Sequence, residues 1–381
     1  MKARRLTLGD ILELDQDVVR VEPDRIYRSA GILNRGRGLF EKADVLGAET
    51  SYSTLYRLRS GQVVYSRLFG WEGAVATVDD SFDGCCVSGE FPTFRLDTDQ
   101  ASLRYIDHYL KSPVFAALIA TAGSGLGQRR QRVNVESLLA LPIPLPSRPD
   151  QDRIAAHLDS LAVIETNAEN SRSCAKSLLD SLRERAFGVL SERETAPIGE
   201  VLHQIGQLED VDPKSQYPML GVRGSGKGAF PSGIMAGADT AYKKLRRFKA
   251  GQVCYPKLMA WQGAFTVVPK SLDQHFASPE FVGFEVDERK ASVRYIAHCL
   301  HWSGFLGEAT SRSSGTNANR RRLQPRDFLD IEIPVPRLDT QRQVAARLDL
   351  AQRAEETAQR LGVYANSILP ATRNEIFNSF L

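Results

Sequence analysis

An α+β fold is predicted: two tandem-duplicated mixed α/β domains separated by two long helices packed as an antiparallel coiled coil, the halves related by a pseudo-twofold. Three observations predict it. The chain repeats itself once at an offset of about 190 residues. Each copy carries short runs rich in Val, Tyr and Phe that are broken by Gly and Asp, the signature of strands. Each copy ends in a long helical pattern with apolar residues at seven-residue spacing.

The repeat settles the architecture. Gly61-Gln62-Val63-Val64-Tyr65 returns as Gly251-Gln252-Val253-Cys254-Tyr255, and Trp71-Glu72-Gly73-Ala74 as Trp261-Gln262-Gly263-Ala264. Arg104-Tyr105-Ile106-Asp107-His108 returns as Arg294-Tyr295-Ile296-Ala297-His298. Between 61–110 and 251–300, about 23 of 50 positions are identical without a gap. A period this long marks two whole domains rather than a stacked solenoid. The 381 residues are enough for each to bury its own core.

Within a copy the elements follow in order. Leu8 to Leu12 opens the first copy and Ile198 to Leu202 the second, each followed by a glycine-rich stretch, Gly31–Phe40 and Gly221–Phe230. Val63 to Tyr65, Gly73 to Val78 and Phe91 to Leu96 read as strands. Ala101 to Leu110 and Ala291 to Leu300 have helical apolar spacing. Leu141-Pro142-Ile143-Pro144-Leu145-Pro146 and Ile333-Pro334-Val335-Pro336 must be extended, because alternating prolines remove donors and restrict their neighbours.

Next comes Asp150 to Leu190, free of internal proline. Ile154, Leu161, Ala168, Ala175, Leu182 and Val189 stand at strict heptad spacing, with Leu158, Leu179 and Ala186 as a second row. The counterpart runs from Thr340 to about Ser379, with a break or kink expected at Pro370. The expected domains are 1–149, 150–190, 191–339 and 340–381.

Composition is globular, 42% hydrophobic and 25% charged, and no apolar run is long enough to cross a bilayer. No secretory signal is expected, because no apolar run follows the basic residues Met1 to Arg5. The five cysteines form no C-x-x-C pair and no zinc-spaced cluster with histidine, which fits a reducing cytoplasm.

The net charge of +3 says little, but basic residues cluster in loops, where they suit phosphate contact. Arg35 and Arg37 lie in one glycine-rich loop, Arg223 and Lys227 in the other. Arg129, Arg130 and Arg132 form a further cluster, and Arg320, Arg321 and Arg322 its counterpart. Gly221 to Gly228 nearly matches a nucleotide-binding loop, but Gly228 replaces the Ser or Thr that holds magnesium. A flexible basic loop that approaches a polyanion fits better. Trp71 and Trp261 read as core or turn residues. Glu90 and Glu280 lack a paired catalytic group and read as structural or binding positions. His108 and His298 have no metal constellation around them. What remains is a pair of binding modules, not a catalyst.

The residues quoted so far, with Ser66-Arg67-Leu68-Phe69, Val87 to Pro92, Gln151-Asp152-Arg153-Ile154, His157-Leu158-Asp159, Ser181 to Phe187, Gln341 to Val344 and Leu348-Asp349, carry a resemblance. In this ordered set, present twice, the chain resembles the specificity (S) subunits of type I restriction–modification systems over nearly its whole length. The resemblance implies that each globular part is a target recognition domain and each long helix a conserved spacer region. It implies that the two domains read the halves of a split double-stranded DNA site. It implies two methyltransferase (M) subunits as partners, joined by restriction (R) subunits, with S-adenosylmethionine and ATP on those partners and no cofactor on this chain. The expected DNA contacts are Arg35, Arg37, Arg130, Arg132, Arg223, Lys227, Arg320 and Arg322. A stand-alone DNA-modifying enzyme and a protein-binding scaffold are the alternatives.

Overall fold

The computed structural model describes residues 3–123, 131–315 and 321–380. It divides into two compact units, Met1–Glu169 with Arg360–Leu381, and Asn170–Gln359. The helices are α1 (Leu103–Leu110), α2 (Pro113–Thr121), α3 (Val135–Leu139), α4 (Arg148–Ser191), α5 (Val293–Cys299), α6 (Ser303–Ser311), α7 (Pro325–Leu329) and α8 (Leu338–Asn378). Both long helices pass from one unit into the other, so each unit takes its helical side from both copies of the repeat.

Unit 1 holds a four-stranded antiparallel sheet in the order Leu12–Leu14, Thr93–Leu96, Val63–Tyr65, Val75–Thr77. A five-stranded sheet runs Asp17–Arg20, Thr54–Arg57, Cys86–Val87, Ile26–Ile32, Leu39–Leu46, and only its Ile26–Ile32/Cys86–Val87 pair is parallel. In unit 2 the same orders return as Leu202–Gln204, Phe281–Val286, Val253–Pro256, Thr266–Val267, and as Glu209–Asp210, Lys244–Arg247, Phe276–Ala277, Gln216–Val222, Ala229–Ala236. The runs predicted as strands, helices and extended segments form as such.

The proline runs are strands whose carbonyls are used. Pro142–Leu145 pairs antiparallel with Arg4–Thr7, and Glu332–Pro334 with Thr195–Pro197. Proline has no N–H for a ladder, so each run is paired on one side only, in a separate two-stranded ribbon. Their oxygens accept from buried tyrosines: Tyr105 Oη donates to Pro144 O (2.7 Å), Tyr109 Oη to Pro142 O (2.6 Å) and Tyr295 Oη to Pro334 O (2.9 Å).

A buried glutamine locks each ribbon to the helix that follows. Gln151 is fully buried. Its Oε1 accepts from Ser102 N (2.8 Å), and its Nε2 donates to Gln100 O (3.1 Å) and Pro146 O (3.0 Å). Gln341 repeats this on Ser292 N, Lys290 O and Pro336 O.

The long helices pack antiparallel. In unit 1 the start of α4, through Ile154, Ala155 and Leu158, shares a core with Leu369 and Phe377 near the end of α8. In unit 2 the end of α4, through Phe187, shares a core with Ala345 and Leu348 at the start of α8.

The heptad row needs correction. Ile154 is buried, but Leu182 is 37% and Val189 49% exposed, while Leu179 and Phe187 are buried in their place. A straight α-helix drifts about 20° per heptad against a seven-residue row, or about 100° over five heptads. The row that begins on the buried face therefore ends off it. No break occurs at Pro370, because α8 runs through it. Packing of Leu369 and Phe377 on either side holds the helix across the missing N–H.

Candidate nucleic-acid interface

The glycine-rich stretches are the turns of β-hairpins. In unit 1, Ile26–Ile32 and Leu39–Leu46 pair antiparallel and the chain reverses over residues 33–38. Arg35, Gly36 and Gly38 all have positive φ (62°, 63° and 87°), and in unit 2 Ser225, Gly226 and Gly228 do the same (56°, 70° and 70°). Glycine is needed at two positions of each turn for this reason.

The turn is tied rather than loose. Arg35 N donates to Glu72 O (2.9 Å) and Gly36 N to Gly73 O (2.9 Å), and the Asn34 amide reaches the Glu72 carboxylate. In unit 2, Ser225 N donates to Gln262 O (2.7 Å) and Gly226 N to Gly263 O (3.4 Å). This corrects the expectation of a flexible loop and gives the repeated Trp-x-Gly its role. Trp71 and Trp261 belong to the short helical turns whose ends, Gly73 and Gly263 with φ near +70°, hold the hairpin tips. The Trp71 ring donates to Leu68 O (3.2 Å).

Beside this turn lie Arg132 in unit 1 and Arg322 in unit 2, from the second pair of basic clusters. Arg132 pairs with Glu90 (3.5 Å) and Arg322 with Glu280 (3.4 Å). The backbone of Arg67 joins them, since Arg67 N donates to Glu90 O (2.9 Å) and Val133 N to Arg67 O (3.0 Å). Lys257 does the same in unit 2. Tyr65 Oη donates to Val133 O (3.0 Å) beneath them, and burial pushes its phenol up to about 12. The repeated glutamate is thus the partner of the repeated arginine, a pairing across about 40 residues that spacing alone does not disclose.

Arg35, Arg37, Arg223 and Lys227 are exposed on the hairpin turns, and Arg132 and Arg322 are exposed beside their glutamates. Each unit therefore gathers its hairpin cations, the Trp turn and one Glu–Arg pair into one area. Arg130 and Arg320 lie outside the described residues. Sequence reasoning missed two exposed apolar residues of the same area, Leu68 and Phe69 (38% and 50% exposed). Arg223 lies over the Phe230 ring (4.1 Å), a cation–π contact. Among the described residues no group of three or more His, Cys, Asp or Glu is placed to hold a metal.

The repeated histidines are joints. His108 Nε2 meets Asp159 (2.8 Å), and its Nδ1 accepts from Arg373 (3.0 Å) in α8. His298 meets Asp349 (2.7 Å). The arginines were overlooked, yet they stand at the repeat offset: Arg183 occupies the position of Arg373, but its charge acts on His298 without a hydrogen bond, and His298 Nδ1 has no partner among the described residues. Burial and then the Arg373 charge hold His108 below its ordinary value, against the pull of Asp159. Burial, with the charges of Arg183, His301 and Arg294, takes His298 down to about 3.

A pH dependence follows. The unfolded chain, with its histidines near 6.5, binds more protons than the folded one, so stability falls as pH drops below 6.5. The loss continues down to about 3 for His298. Lowering pH from 6.5 to 5.5 is expected to cost unit 2 on the order of 1 kcal/mol through His298. Melting of the wild type and of His298→Gln across this range checks it; equal pH slopes would refute it.

The fold is that of known structures. One is the S subunit of a type I restriction–modification system from M. genitalium, with TM-score 0.60 and 14% identity, covering 99% of both chains. Another, described as the basis of complex assembly and conformational transition of the type I R-M system, has TM-score 0.55 and 18% identity, covering 98% of both chains. No protein-family model matches the chain, and neither does the sequence of any curated protein.

Proposed function

We propose that this chain, which shares its fold with type I restriction–modification S subunits over nearly its full length, is a sequence-specific DNA-recognition subunit. The observation that carries this reading is the duplication of one basic surface. The same hairpin turn, Trp turn and Glu–Arg pair occur once in each unit with different side chains around them. Two similar but unequal surfaces suit the two halves of a split, asymmetric duplex site. Phosphate contacts from the arginines and lysines supply affinity, and base-edge contacts supply sequence choice.

The chain itself performs no chemistry in this reading. It docks two M subunits and, where present, R subunits, and S-adenosylmethionine and ATP bind to those partners. The long helices supply the docking surface and fix the gap between the half-sites. No helix among the described residues is long and apolar enough to cross a membrane.

Replacing one exposed cation in each unit, Arg37→Ala with Lys227→Ala, tests the surface. Binding to duplex DNA is expected to weaken for all sequences alike, and the slope of log affinity against log salt to fall by about 2. Titration at several salt concentrations measures both. An unchanged slope would remove these residues from the interface. Methyl transfer to DNA by the purified chain alone would favour the stand-alone enzyme instead.

A further inference from the structure

The two hairpins share a frame and differ on one exposed face. The residues kept between them are those the backbone needs. Tyr27 and Tyr217 each accept, at Oη, a hydrogen bond from the backbone of Glu22 or Asp212 (2.9 and 2.8 Å). Gly31 and Gly221 sit directly opposite Phe40 and Phe230 across the ribbon. A Cβ on either glycine would fall 2.5 Å from the phenyl ring, so the ring lies across the bare strand. Gly47 and Gly237 are pressed against Glu22 O and Asp212 O, where a Cβ would sit at 1.9 and 2.1 Å.

Between these fixed points lie four consecutive exposed residues. They are Glu41-Lys42-Ala43-Asp44 in unit 1 and Pro231-Ser232-Gly233-Ile234 in unit 2. In both units the register of the ribbon shifts within this stretch, between Tyr27 and Ser29 on one facing strand and Pro218 and Leu220 on the other. A bulge bends a ribbon and re-aims its side chains. The strand is also the outermost of its five-stranded sheet. Ile234 is 71% exposed there, an isolated apolar side chain turned to solvent.

We infer that these four positions in each hairpin are determinants of DNA sequence choice, one set for each half-site. The inference rests on the DNA-recognition reading above. A two-stranded ribbon fits the major groove, about 12 Å wide, and the basic turn at its tip suits the flanking phosphates. The chemistry then assigns preferences. Lys42 donates to the acceptors of guanine, and Asp44 accepts from the amino group of cytosine, while Glu41 is paired with Arg28 (3.1 Å) on the facing strand. Unit 2 has no charge at these positions, and Ile234 offers apolar contact to a thymine methyl. The unit 1 hairpin therefore meets G·C pairs, and the unit 2 hairpin meets A·T pairs.

The test is a transplant within the full chain, E41P/K42S/A43G/D44I, with the reciprocal P231E/S232K/I234D, which keeps Gly233 because its φ is +99°. Each variant, assembled with M subunits, selects from a duplex DNA library randomised over both half-sites. The first variant is expected to lose G·C preference in one half-site and keep the other half-site; the reciprocal changes the other half. A folded variant that selects the wild-type motif overturns the inference, as does an equal loss of affinity for every sequence, which marks phosphate contact. Should the transplant not fold, Lys42→Ser alone is expected to lower preference for guanine at one position about tenfold. An unchanged preference there overturns the inference equally. Wild-type protein that selects no motif would defeat the DNA-recognition reading itself, a result separate from all of these.

Discussion

Phe377→Ala is expected to destabilise unit 1 by about 4 kcal/mol. Phe377 comes from the last turns of α8, yet it is fully buried in the core of the first globular part. Its ring meets Tyr105 (5.5 Å) and Tyr109 (5.3 Å) edge to face. Alanine removes those contacts and leaves a cavity that tyrosines held by their own hydroxyl bonds cannot collapse into. Hydrogen exchange locates the effect: protection is lost in α1, α2 and the start of α4. Phe187→Ala is the mirror experiment, since Phe187 packs on Tyr295 (5.1 Å) and Trp302 (5.8 Å) in unit 2. Loss of protection spread equally over both units in either variant would contradict this assignment.

The second large effect is expected at Gln151. Gln151→Leu keeps the volume but leaves Ser102 N–H and the Gln100 and Pro146 carbonyls without their partner. An unsatisfied buried polar group costs about 1–3 kcal/mol, so three of them cost about 3 kcal/mol or more. For a unit of this size that lowers the melting temperature by about 10 °C. Gln341→Leu is expected to do the same in unit 2. Gln151→Glu restores the acceptor for Ser102 N but not the two donors, and recovers only part of the loss. A leucine variant that melts within about 2 °C of wild type would show that the site relaxes around the substitution. This glutamine ties the end of the proline ribbon to the start of α4.

The candidate surface was partly legible. The glycine-rich stretches and their cations could be found because a turn with positive φ restricts residue type locally, and the repeat marked them twice. The tie from the hairpin tip to the Trp turn was not legible, since backbone hydrogen bonds leave no mark on side-chain identity. The pairing of Arg132 with Glu90, and of Arg322 with Glu280, was hidden by separation along the chain. The joints of His108 with Asp159 and Arg373, and of His298 with Asp349, were hidden in the same way.

By itself the sequence determined the duplication, the strands, the extended proline ribbons and the existence of two long helices. These follow from interactions between near neighbours in the chain: steric limits at proline and glycine, and the periodicity of apolar residues. Which face of α4 is buried became clear from the packed units, because a seven-residue row drifts around a helix with 3.6 residues per turn. The tertiary structure alone decided that the end of α8 completes the core of the first unit and the end of α4 that of the second. Such contacts join residues far apart in sequence, and they are set by the geometry of the packed units rather than by any local preference.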